Sequence, residues 1–425
     1  MLKRLWQRLL LVLVLTLGLS AIAWQLWQHP AQQTKIERRQ LTDGSSASLA
    51  TPAGTAKAQV LLLLDPSQQL QDGELLALAQ DSGARILQLS MPGNDCDAQQ
   101  HRLQAATDAL QHTPTLVAGI GTGAAFAWRW LATQSNDDAQ ALSVGFSLQQ
   151  PDCAAPLPKR AAHGRWNVAW NNNPDDPSAG FARAQANAQT SISDYSIQLP
   201  ELLKQRLLSL LQGQREPMPV IEVAASQPSD TVTLFYSGDG GWRDLDRDVA
   251  AEMAKRGYPV VGIDALRYFW QHKSPQQGAT DLGQLMRQYR EKWGAKRFVL
   301  AGYSFGADAL PAFYNRLTAD EQQQVDAILL LALARSGSFQ IEVQGWLGKS
   351  GQEAATGPEL SRLPAHKVLC VYGQEEGPES GCTQPNAVGE ALKLPGGHHY
   401  DENYPALADK LLQAIQQRQA NDHKN

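Results

Sequence analysis

Ser304 stands at the centre of Gly302-Tyr303-Ser304-Phe305-Gly306, a G-x-S-x-G pentapeptide. An apolar, strand-like run, Arg297-Phe298-Val299-Leu300-Ala301, precedes it, and a helix-like run over 307–317 follows. Strand, tight turn and helix is the setting in which a serine hydroxyl is raised out of the chain as a nucleophile. Both glycines fit that turn, because side chains two residues either side of the serine would meet neighbouring backbone. The bare pattern also arises by chance, so the strand before it and the helix after it carry the reading.

An alcohol nucleophile needs a base, an acid that orients the base, and N–H donors for the developing oxyanion. In an α/β-hydrolase these follow the order Ser, Asp/Glu, His, and the chain offers all three in that order. The base is His398 or His399, in Leu394-Pro395-Gly396-Gly397-His398-His399-Tyr400. An aromatic two residues after the base favours His398, with His399 as the alternative. The acid follows the strand-like run 367–372, in Gly373-Gln374-Glu375-Glu376. The usual spacing selects Glu376, and Glu375 lies one residue away. Asp308 is a third candidate, one helical turn after Ser304 on the same face. It reads equally well as an acid complementing a helix N-terminus.

The oxyanion donors are expected to be the N–H of Phe305, after the nucleophile, and the N–H of Asp239. Asp239 lies in Ser237-Gly238-Asp239-Gly240-Gly241-Trp242, directly after a strand-like run at 231–236. Glycines so placed suggest close backbone approach to a ligand. Gly238, Gly240, Gly241 and Trp242, with Tyr303 and Asp308, are therefore the candidate substrate-binding residues. No Lys-Ser/Thr follows the glycines, which argues against a nucleotide phosphate loop. No Cys/His spacing suggests zinc, so neither a metal nor a cofactor is called for.

The elements that must position these residues repeat. Thr115-Leu116-Val117-Ala118-Gly119-Ile120-Gly121-Thr122-Gly123-Ala124 lines up with 298–307, and the nucleophile position is Gly121. The run 59–64 matches 231–236 but continues as Asp65-Pro66-Ser67, without the glycine loop, and the segment at 191–195 has no histidine. The fold class predicted is α/β: two tandem α/β-hydrolase-like domains with mostly parallel sheets, the first degenerate and the second catalytic. The degenerate domain is placed at 57–212, closed by a leucine-rich helix at 199–211, and the catalytic domain at 230–417. A polar, proline-bearing linker is expected at 213–229, a flexible linker at 28–56 and a frayed tail at 418–425. In the second half, Tyr268-Phe269-Trp270 reads as core ahead of pocket lining.

The 425 residues are 43% hydrophobic and 19% charged, with a formal net charge of −5. That balance suits globular domains and argues against nucleic acid as a partner. Residues 1–27 join a basic start, Lys3, Arg4 and Arg8, to an apolar run ending in Trp24 and Trp27. They read as a signal peptide or as an N-terminal membrane anchor, and either exports the body of the chain. The four cysteines fall two to each half, compatible with Cys96–Cys153 and Cys370–Cys382 disulfides in an oxidising compartment. The second would staple the loop carrying Glu375 and Glu376.

Taken together, Ser237-Gly-Asp-Gly-Gly-Trp-Arg-Asp-Leu-Asp246, Leu266-Arg-Tyr-Phe-Trp270, Gly302-Tyr-Ser-Phe-Gly-Ala-Asp308 and Pro395-Gly-Gly-His-His399 resemble the bacterial VirJ/AcvB family. Residues 229–417 look like VirJ, and the two-domain length looks like AcvB. The resemblance implies a periplasmic serine hydrolase, held at the inner membrane surface if the N-terminal segment is retained. AcvB-type members are associated with hydrolysis of lysyl-phosphatidylglycerol, an aminoacylated phospholipid, and VirJ-type members with virulence and type IV secretion. An activated aminoacyl ester suits acyl-enzyme chemistry at Ser304, and Asp239, Asp244 or Asp308 could receive the lysyl ammonium. A non-catalytic adaptor for secretion or virulence proteins is the competing reading, and a different esterase, lipase or peptidase of the same fold is the third.

Overall fold

A computed structural model describes residues 33–214, 217–341 and 352–422. The expected signal or anchor segment, 1–27, lies outside them. Two sheets organise the chain, one of eight strands and one of seven.

The first sheet contains β1 (Lys35–Gln40), β2 (Ser46–Thr51), β3 (Ala58–Leu63), β4 (Ala84–Leu89), β5 (Leu116–Ile120), β6 (Gln140–Val144), β7 (Arg165–Trp170) and β8 (Ala188–Ile192). Their order is β1-β2-β4-β3-β5-β6-β7-β8. The chain continues through β9 (Val220–Val223), β10 (Thr231–Tyr236), β11 (Val260–Ile263), β12 (Arg297–Tyr303), β13 (Val325–Leu331), β14 (Ser336–Gly337), β15 (Ala354–Ala355), β16 (Val368–Gly373) and β17 (Glu390–Leu394). Of these, β14 and β15 form a separate two-stranded pair, and the second sheet runs β17-β16-β13-β12-β10-β11-β9. Read from the opposite edge, it repeats the first sheet from β2 onward. In each sheet an antiparallel strand flanks the parallel run, β2 on β4 and β9 on β11, while the strands that follow are parallel. The repeat read from sequence is thus a repeat of topology, and both units are α/β with mostly parallel sheets.

Strands covered on both faces become continuously apolar. Every residue of β10 and of β13 is buried. Phe298, Leu300, Ile328, Leu330 and Val368 pack on one side of the second sheet with helix Pro275–Trp293, and Val299, Ala301, Leu329 and Leu369 on the other with helices Leu245–Lys255 and Tyr404–Asp422. Tyr268, Phe269 and Trp270 are 4%, 0% and 1% exposed, core residues as the sequence favoured.

Three expected boundaries change. The segment 28–56 is not a flexible linker over its described part, since β1 and β2 form an antiparallel hairpin. Leu49 and Ala50, flanked by small residues, bury completely against β4. The linker 213–229 contains β9, whose Val220–Val223 backbone pairs with Ile263–Val260. The tail 418–425 is helical to Asp422. Arg418 is 7% exposed there and donates to the carbonyl of Val368 at 2.6 Å.

Both disulfides form, Cys96–Cys153 and Cys370–Cys382. Disulfides persist in oxidising compartments and so suggest an extracellular or periplasmic protein. Among the described residues, no helix is long and apolar enough to cross a membrane.

Candidate active site

The carboxyl ends of β10, β12, β13, β16 and β17 open onto one set of loops, where active sites of parallel sheets sit. Ser304 follows the last residue of β12 and precedes helix Phe305–Tyr314. Its φ of 51° and ψ of −118° are unusual for a residue with a side chain. The turn is held from both sides: the Ser304 N–H donates to the Leu331 carbonyl at 2.9 Å, and its carbonyl accepts from the Asp308 N–H at 3.0 Å. The two elbow glycines are required by contact. A Cβ on Gly302 would lie 2.5 Å from the Gly306 carbonyl oxygen, and one on Gly306 would lie 2.5 Å from that of Tyr236.

His398 Nε2 lies 2.9 Å from Ser304 Oγ, and its Nδ1 lies 2.6 Å from Glu376 Oε1. With Nδ1–H donating to Glu376, the Nε2 lone pair faces the serine hydroxyl. His398 is 41% and Glu376 28% exposed, so the chain of groups is open to a solvent-borne or surface-borne substrate.

The alternatives take other places. His399 pairs through Nδ1 with the Tyr303 hydroxyl at 3.1 Å, and that hydroxyl donates to the His398 carbonyl at 3.3 Å. Burial pushes the Tyr303 hydroxyl well above its ordinary pKa, with the Asp246 charge adding to it, so it keeps its proton and remains a donor. Glu375 donates its N–H to the Gly396 carbonyl at 3.1 Å, and its carboxylate lies near Gly397. Asp308 accepts the Ala334 N–H at 2.8 Å. Burial pushes its carboxyl up, and the nearby Asp239 charge adds to the effect.

The histidine loop depends on its glycines. A Cβ on Gly373 would lie 2.2 Å from the Gly397 carbonyl, so the acid loop and the histidine loop meet backbone to backbone. Tyr400 is 3% exposed, and its hydroxyl donates to the Val371 carbonyl at 3.1 Å. The aromatic used to choose between the histidines is therefore the anchor of their loop.

On the other side of Ser304, Gly238 approaches closely: a Cβ there would lie 3.7 Å from that of Ser304. Among the described residues, neither the Phe305 nor the Asp239 N–H donates to a protein acceptor. Gly240 and Gly241 continue the loop. Trp242 packs away from the serine, edge-on to Phe235 at 5.8 Å, and its ring fills the space above Gly262. Asp244 is exposed beside Arg243. Sequence reasoning passed over two buried groups beneath this loop, Ser237 and Asp246, 0% and 2% exposed. Asp246 reads in sequence as an ordinary acid in the first turn of a helix. Chemically, the assembly can transfer an acyl group to Ser304 and then to water. Among the described residues, no cluster of groups suited to a metal ion is present.

In the first unit the same turn is built with glycine at its apex. Gly121 has φ 58° and ψ −115°. A Cβ on Gly119 would meet Gly123, and one on Gly123 would lie 2.2 Å from the Leu63 carbonyl, as Gly302 and Gly306 do in the second unit.

Among solved structures, the chain is similar to Est1E from Butyrivibrio proteoclasticus with ferulic acid bound, at 12% identity and a TM-score of 0.36, over 48% of this chain and 96% of that one. It is also similar to the Francisella virulence factor BioJ, at 10% identity and 0.33, over 47% and 91%. Proline iminopeptidase from Mycobacterium smegmatis gives 12% and 0.35, over 47% and 94%. No curated protein matches the chain. Residues 230–419 match the model of the family described as bacterial virulence protein (VirJ). That match covers the second half of this chain and includes Ser304, His398 and Glu376.

Proposed function

We propose that the second unit is a serine esterase that cleaves the aminoacyl ester of an aminoacylated phosphatidylglycerol, with lysyl-phosphatidylglycerol as the leading substrate. The observation carrying this reading is the hydrogen-bonded series Glu376–His398–Ser304. In the proposed reaction, Ser304 Oγ attacks the ester carbonyl carbon and passes its proton to His398 Nε2. The oxyanion is received by the N–H groups of Phe305 and Asp239, and Glu376 stabilises the imidazolium. The bond from carbonyl carbon to glycerol oxygen breaks, and His398 protonates the departing alkoxide, releasing phosphatidylglycerol. Water then attacks the acyl-Ser304 carbonyl, gives its proton to His398, and the amino acid leaves as Ser304 recovers its hydrogen.

Asp239, in the loop whose Gly238 lies against Ser304, would receive a cationic acyl group, and the disulfides suit the compartment such a lipid faces. Retention of the N-terminal segment would hold the site at the inner membrane surface, and the first unit would bind substrate or a partner, without chemistry at Gly121. Release of lysine from lysyl-phosphatidylglycerol vesicles by the wild type and not by Ser304→Ala tests the reading. Full biological function of Ser304→Ala would instead favour the secretion adaptor, and turnover of neutral esters alone a different esterase.

A further inference from the structure

We infer that Ser237 is a positioning residue, whose buried hydroxyl aims the Asp239 N–H at the oxyanion formed on Ser304. The inference rests on the esterase reading above.

Ser237 is the first residue after β10 and is completely buried. Its N–H continues the sheet ladder to the Ile263 carbonyl at 3.0 Å, so its backbone is fixed to β11. Its hydroxyl makes two bonds. It accepts the Ala265 N–H at 2.9 Å and donates to the Gly238 carbonyl at 3.1 Å. The Gly238 carbonyl also accepts the Gly241 N–H at 3.1 Å. That carbonyl shares a peptide plane with the Asp239 N–H, and in a trans peptide the two point in opposite directions. Fixing the carbonyl by two donors therefore fixes the direction of the N–H. The neighbouring glycine lies against Ser304 and the Tyr303 ring, where a Cβ would come within 3.3 Å of that ring. The peptide has little room to turn over.

Two buried carboxyl groups hold the rest of the loop. Asp246, 2% exposed with Oδ1 unpaired, faces the N–H groups of Gly238 and Arg243. Asp264, 6% exposed, faces the N–H of Trp242 and accepts that of Arg267 at 3.1 Å. Among the described residues the Asp239 N–H donates to no protein acceptor, which leaves it for a ligand. A donor oriented before substrate arrives needs no reorganisation when charge develops, which is the source of oxyanion-hole catalysis.

The test uses the full chain with p-nitrophenyl acetate as substrate and a fluorophosphonate as the reagent for Ser304. Removing an oxyanion donor outright costs roughly 10²–10³ in kcat, so Ser237→Ala, which misaims one, is expected to lower kcat by about 10- to 100-fold. KM stays within about twofold, because the ground-state carbonyl gains little from the hole. Phosphonylation slows by a similar factor, and Ser237→Thr, which keeps the hydroxyl, recovers most of the rate. Unchanged kcat in Ser237→Ala overturns the inference while leaving the esterase reading standing. A loss in Ser237→Ala that Ser237→Thr does not recover also overturns it. A wild type that neither turns over the ester nor reacts with the fluorophosphonate removes the esterase reading, and this inference with it.

Discussion

Gly121 and Ser304 share one backbone conformation, φ 58° and ψ −115° against φ 51° and ψ −118°, at corresponding positions of the two units. Glycine adopts this conformation without strain, whereas serine holds it at a cost of about 1–3 kcal/mol. The second unit therefore carries strain at Ser304 that the first, with glycine at that position, does not. Ser304→Gly should raise the stability of the protein by roughly 1 kcal/mol while abolishing hydrolysis. Gly121→Ala should lower it by about 1–2 kcal/mol, its Cβ also pressing on the Gln150 side chain 3.2 Å away. Urea midpoints of the two variants read both effects, and equal midpoints would remove the claim of stored strain.

The neighbouring histidines and glutamates should separate sharply. His398→Ala should cost roughly 10⁴-fold or more in kcat, and Glu376→Gln on the order of 10³–10⁴, because the imidazole would lose its orienting partner. His399→Ala and Glu375→Gln should stay within about tenfold, as their contacts are to Tyr303 and to the loop backbone. Steady-state kinetics of the four variants decides this, and a larger loss at His399 than at His398 would reverse the assignment.

The Cys370–Cys382 bridge closes the segment that carries Glu376, one end in β16 and both sulfurs buried. Replacing both cysteines by alanine should cost about 2–4 kcal/mol of stability by the loop-closure argument. Because the freed segment holds the acid, kcat should fall as well, with Glu376→Gln adding less in that background than in the wild type. Fully additive effects on kcat would show that the bridge does not position the acid.

Asp246 gives the stability a definite pH dependence. Burial pushes its carboxyl well above the ordinary range, the N–H groups of Gly238 and Arg243 oppose this, and the charges of Asp264 and Asp244 reinforce it. The native state then keeps a proton that the unfolded chain releases above about pH 4. Stability is lost as pH rises from that point to the native pKa, at about 1.4 kcal/mol per pH unit. Asp246→Asn lacks this loss, so its stability relative to wild type should grow as pH rises above about 4. Denaturant titrations at several pH values measure the difference, and a difference constant with pH would contradict the shift.

Much of the site was legible because its signals are local. The elbow, the glycine loop, the histidine pair and the acid loop each follow a strand, and a short apolar run bounded by glycines marks each one. The choice of His398 rested on Tyr400, whose hydroxyl proves to anchor the loop to Val371. The edge strands were missed for the opposite reason. β1 is exposed or half-exposed along its length and β9 has no fully buried residue, so neither shows the apolar run that marks β10 or β13. Ser237 and Asp246 were missed because their partners come from other elements: Ala265 follows β11, and Gly238 precedes Asp246 by a whole loop. No spacing rule reports such bonds.

The most direct measurement is free lysine released from lysyl-phosphatidylglycerol vesicles by the full chain, beside Ser304→Ala and His398→Ala. Lysine and phosphatidylglycerol appearing in equal amounts with the wild type, and with neither variant, is the predicted result. Release that survives in Ser304→Ala, or a folded wild type that releases nothing, would contradict the account.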